Sequence, residues 1–145
     1  MRPLILLSCL FFVGCADERI VSVPGPEQII YVEQSALPLE FNIYASLNYD
    51  KGYYAIWWGD VKNTGGDTLK VFPQAKIFLS EEALKQNNPV LTTQGSIGSF
   101  NEVGSFVAQE QLLPGQTLRH YTKSGTFVIP ENSRYVNYLF NFLSR

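Results

Sequence analysis

From Pro38 to Arg145 apolar and polar residues alternate with a period of two, and no run of about a dozen residues carries the 3.6-residue period of an amphipathic helix. The alternation predicts strands at Glu40–Leu47, Tyr53–Asn63, Leu69–Leu79, Val90–Thr93, Ser105–Leu112, Gln116–Lys123, Thr126–Ile129 and Arg134–Leu143. Turn chemistry separates several of them: Asn48-Tyr49-Asp50-Lys51-Gly52, Thr64-Gly65-Gly66-Asp67, Leu113-Pro114-Gly115 and Pro130-Glu131-Asn132-Ser133. Only Ser80–Gln86 reads as a helical turn, with Ser80 as the cap and Glu81 and Glu82 in the first turn. About seven or eight short strands at this spacing predict an all-β fold, an antiparallel β-sandwich.

Strand faces follow from the cost of burying charge. In Tyr53–Asn63, pointing Val61 inward takes Ala55, Trp57 and Gly59 with it and leaves Asp60 and Lys62 in solvent. The opposite parity buries both charges, at several kcal/mol unless they are paired. Trp57 is therefore expected in the core, with Tyr54, Ile56 and Trp58 on the outer face. Val136, Tyr138, Phe140 and Phe142 form a second inward stripe, and Ala75, Ile77 and Leu79 a third. This assignment leaves Phe72 and Phe78 pointing outward beside Tyr54, Ile56 and Trp58. A row of exposed rings marks a candidate binding surface. Folding back of Ile29, Ile30 and Tyr31 to cover the rings is the alternative.

Residues 1–37 follow a different pattern. Met1-Arg2-Pro3, the apolar run Leu4–Val13 and then Gly14-Cys15 have the charge, length and small residue of a secretory signal. The run is too short to span a bilayer. Phe12-Val13-Gly14-Cys15 resembles the bacterial lipoprotein signal, which implies cleavage before Cys15, lipidation of Cys15 and attachment to the membrane. Leu6-Leu7-Ser8-Cys9 fits locally but leaves too short an apolar segment. The expected organisation is thus residues 1–14 as signal peptide, 15–37 as lipidated N-terminus and tether, and 38–145 as the folded domain. Pro24-Gly25-Pro26 breaks the tether, and Gln28–Val32 has strand composition. In a host with two membranes, the resemblance implies through Ala16 after the cysteine that the outer one is the destination.

Composition narrows the function. The 145 residues are 46% hydrophobic and 17% charged with a net charge of −2, and removal of Arg2 leaves ten basic against 13 acidic residues. That balance argues against a nucleic-acid partner. With one His, one Met and two Cys, one removed with the signal and one lipidated, the mature chain has no free thiol or disulfide and no His/Cys metal site. His120 is expected as a surface or half-buried strand residue, although a triad with Ser124 can be drawn. Asp60 and Asp67 with backbone oxygens outline a Ca²⁺ site, against the ordinary reading of solvated turn carboxylates. Gly95, Gly98 and Gly104 lack the lysine of a phosphate loop and read as a flexible loop. No catalytic residue, metal or cofactor is expected.

Gly59-Asp60-Val61-Lys62-Asn63-Thr64-Gly65-Gly66-Asp67-Thr68-Leu69, then Ala75-Lys76-Ile77-Phe78-Leu79-Ser80 and Leu113-Pro114-Gly115-Gln116-Thr117, resemble in order and spacing the extracellular CARDB and FxLYD domains. The resemblance covers roughly Tyr53 to Phe142. It implies an immunoglobulin-like sandwich used for adhesion or scaffolding, without catalysis. The turn suits this, since Gly65 and Gly66 accept positive φ and the Asn63 amide reaches backbone groups of the reversal. The Trp57-Trp58 pair and the long segment from Gln94 to Gly104 depart from that pattern. The expectation is a lipid-anchored, non-catalytic envelope protein that binds another envelope protein. The alternative is a carbohydrate-binding protein that stacks sugar rings on Trp58 and Tyr54.

Overall fold

The computed structural model describes residues 4–8 and 26–145. Two sheets pack face to face. The strands are β1 (Leu4–Ser8), β2 (Glu27–Glu33), β3 (Leu39–Phe41), β4 (Tyr44–Tyr49), β5 (Tyr53–Asn63), β6 (Val71–Phe78), β7 (Leu91–Gln94), β8 (Ser96–Phe100), β9 (Phe106–Gln109), β10 (Thr117–Lys123) and β11 (Tyr135–Ser144). One short helix, α1 (Glu81–Lys85), follows β6, and the Ser80 hydroxyl accepts from the Ala83 N–H at 3.0 Å as its cap. The first sheet runs β1-β2-β11-β6-β7 and the second β3-β5-β10-β8-β9, with β4 also on β5.

The chain is an all-β sandwich. Among the described residues every strand pair is antiparallel except β2 with β11, which is parallel, Glu27 to Val32 lying against Tyr135 to Phe140. The segment read as a tether therefore contributes a strand to the first sheet.

Other differences have local causes. The Glu40–Leu47 strand divides into β3 and β4 at Asn42-Ile43, both lying along β5. At this break the Asn42 N–H donates to Asp60 O and the Asp60 N–H to Asn42 Oδ1, at 3.2 and 2.8 Å. A Cβ on Gly59 would lie 2.2 Å from Asn42 O, so the close approach requires glycine. The stretch from Gln94 to Gly104, expected as a loop, holds β8 instead. Gly95 presses on Thr122 Oγ1 and Tyr121 O, and Gly98 on Val107 O, each so closely that no Cβ fits. Those glycines are packing residues. Thr126–Ile129 forms only a single bridge, Phe127 to Tyr53.

Trp57 lies at the centre of the core, fully buried, and meets Tyr138 edge to face at 4.9 Å. The Tyr138 hydroxyl donates to Gln28 Oε1 at 2.7 Å, joining β2 to β11 inside the sandwich. Asn63, also buried, holds the following reversal. Its Nδ2 donates to Asp67 O and Leu112 O at 2.7 and 2.9 Å, and its Oδ1 accepts from the Gly65 N–H at 2.9 Å. Gly65 is needed there for contact with Pro38, where an added Cβ would lie 2.7 Å from Cγ. Neither Gly65 nor Gly66 takes the expected positive φ.

Candidate functional site: an aromatic row on the second sheet

Period-two alternation in β5 puts Ala55, Trp57, Gly59 and Val61 inside, and Tyr54, Ile56 and Trp58 on the outer face, half-buried. Register extends that face across the sheet. Tyr44 on β4 pairs with Trp58, with ring centroids 5.9 Å apart, and Tyr121 on β10 pairs with Trp58 from the other side. Phe106 on β9 reaches Tyr121 at 6.0 Å, and Phe100 on β8 meets Phe106 at 5.4 Å. Tyr44, Trp58, Tyr121, Phe106 and Phe100 thus form a continuous row over five strands. Tyr44 is 41% exposed and Phe100 47%, so the row ends in solvent on both sides.

Cations flank the row. The Arg119 guanidinium lies 5.4 Å from the Phe100 centroid and pairs with Asp60 at 3.4 Å, and the Lys123 ammonium lies 5.1 Å from the Tyr54 centroid. Such contacts hold rings and alkyl stems in fixed rotamers, which lowers the entropy lost when a partner docks.

Phe72 and Phe78 do not join this face. They belong to β6 in the first sheet and are 8% and 0% exposed. They point outward as parity requires, but α1 packs back on β6 and β11, and Arg145 stacks on Phe72 at 4.5 Å. Alternation fixes which way a side chain points within a sheet, not what covers that sheet. Ile29, Ile30 and Tyr31, the alternative cover for the aromatic row, lie in β2 of the first sheet and do not cover it. Tyr44, Tyr121, Phe106 and Phe100 were missed. Tyr121 was legible from parity with Arg119 and Lys123, whereas Phe100 required recognition of β8.

His120 is buried at 1% exposure, against the expected surface or half-buried position, because Leu118, His120 and Thr122 share the inner face of β10. Its Nε2–H donates to Asn42 O at 2.7 Å, and the ring packs on Phe140 and Phe142, each at 5.3 Å. Burial, with a smaller push from the Arg119 charge, lowers its pKa from the ordinary 6.5 to about 4, outweighing the bond to the Asn42 carbonyl and the Asp60 charge. The Ser124 hydroxyl accepts from the Ala55 N–H and donates to Gly125 O. His120 and Ser124 are thus each engaged with backbone rather than with one another. Among the described residues no three His, Cys, Asp or Glu side chains gather as a metal-binding group, and Asp60 is engaged with Arg119. A depression of about 340 Å³ lies elsewhere, beside Ile29, Ser80, Arg134 and Asn137. Cys15 lies outside the described residues. No described helix is long and apolar enough to cross a membrane.

No family model, curated protein or solved structure matches the chain. The class of protein is therefore defined by fold and surface alone: an all-β sandwich with an aromatic row on one sheet.

Proposed function

We propose that this chain is a lipid-anchored, non-catalytic envelope protein, held through Cys15, whose aromatic row docks another envelope protein. The row across five strands carries this reading. It is wide and apolar with charge at its margins, as the centre and rim of a protein interface are. The rings suit a glycan less well. A flat, extended polysaccharide calls for coplanar platforms, whereas Tyr44 and Trp58 are inclined by 31°, Phe106 and Tyr121 by 37°, and Phe100 and Phe106 by 73°. The N-terminal sequence supports the anchor, and the resemblance to adhesion modules supports scaffolding over catalysis.

A photo-crosslinking residue at Trp58 in the native host should give one discrete protein adduct. The same residue at Val128, 80% exposed and outside the row, should give none. Equal adducts at both positions, or polysaccharide binding abolished by Trp58→Ala, would overturn the protein-docking reading. Cys15→Ser should release the protein from membranes; persistent attachment would rule out the lipid anchor.

A further inference from the structure

In the first sheet β1 is the outermost strand and covers one side of β2, whose other side pairs with β11. Leu4 to Ser8 pair antiparallel with Glu33 to Ile29. The Glu27 N–H donates to Arg134 O at 2.8 Å, so the backbone groups of Glu27, Ile29 and Tyr31 face β11. Those of Gln28, Ile30 and Val32 face β1. If the chain is cut before Cys15, as the lipoprotein reading holds, β1 leaves and these groups lose their partners. We propose that in the mature protein the vacated β2 edge is a strand-docking site, which takes an extended, apolar, uncharged segment of a second envelope protein antiparallel to β2.

Comparison of the edges supports this. Among the described residues the other sheet edges are the four-residue strands β7 and β9 and the broken line of β3 and β4. Sheets commonly protect their edges by shortening or interrupting the strand. By contrast, β2 offers seven continuous residues, EQIIYVE, with no proline, lysine or bulge. Occupation of the edge by β1 shows the geometry to be compatible with a fifth strand.

Charge and burial define the occupant. A residue opposite Ile30 or Val32 falls on the core side, beside side chains that are 1% and 7% exposed, and must be apolar. A second copy of β2, paired about a two-fold at Ile30, would set Glu27 against Glu33 twice, a repulsive arrangement that disfavours self-association. The twelve steps from Cys15 to Glu27 reach at most about 40 Å. The edge therefore stays near the membrane, within reach of other envelope proteins.

The test uses the lipidated protein purified from host membranes in detergent, its start at Cys15 verified by intact mass. The probe is a fluorescent peptide of the Leu4–Ser8 sequence flanked by lysines. Saturable binding is expected, with slowed amide exchange at Ile30 and Val32. A Leu7→Pro peptide should bind at least about tenfold more weakly, since it lacks an N–H aimed at β2. No binding to protein that begins at Cys15, or equal binding of both peptides, overturns the proposal and leaves the anchor intact. Protection of Ile30 and Val32 in concentrated protein alone overturns the choice of partner in favour of a second copy. Retention of residues 1–14 overturns the lipoprotein reading itself, and the open edge with it.

Discussion

At the residue scale, His120 couples stability to pH. Its folded pKa is about 4 against 6.5 when unfolded, so between these values the unfolded chain binds more protons. The contribution of the neutral, buried ring is complete above about pH 6.5 and falls as pH drops toward 4, by a total on the order of 3 kcal/mol. Urea titrations over this range should show that acid limb, and His120→Phe should flatten it. An unchanged slope would mean that His120 is solvated. The adjacent tryptophans separate in the same way. Trp57→Ala removes a fully buried ring and should lower stability by about 3–5 kcal/mol. Trp58→Ala should cost about 1 kcal/mol or less, since that ring is only half-buried. Comparison of thermal midpoints decides the face assignment, and the reverse order would invert it.

At the element scale, alternation made β5 legible: Asp60 and Lys62 fixed its parity and placed Trp57 inside and Trp58 outside. The same reasoning ran out at β8. Ser96–Phe100 contains a glycine and two serines, so its apolar signal is weak, and it forms because β10 and β9 supply partners on both sides. Strand formation there is a tertiary event. Gly59 shows the converse, a residue that reads as an unremarkable strand position until β3 and β4 are seen to break beside it. Gly59→Ala should destabilise the protein by about 1–3 kcal/mol, because the new methyl meets the Asn42 backbone oxygen rather than a flexible side-chain end. Denaturant midpoints would measure this, and a neutral result would show that the break relaxes freely.

At the scale of the whole molecule, two surfaces differ in how they arise. The aromatic row is made by register across β4, β5, β10, β8 and β9, and three of its five rings come from elements whose pairing is remote in sequence from β5. The β2 edge is made by the choice of a parallel partner, β11, more than a hundred residues away. A cleaved leader would expose that edge. Local chemistry alone carries the all-β class and the inward parity of Trp57 and of the Val136–Phe142 stripe, and it is the basis on which lipidation of Cys15 is proposed. Each depends on local chemistry: alternation, the cost of buried charge, and a short apolar run before a cysteine. Long-range packing accounts for the cover over Phe72 and Phe78, the burial of His120 against Asn42, and the continuation of the row from Trp58 through Tyr121, Phe106 and Phe100. Period two tells each side chain which of two faces to take; which strand lies alongside, and what closes over that face, depends on contacts between distant segments.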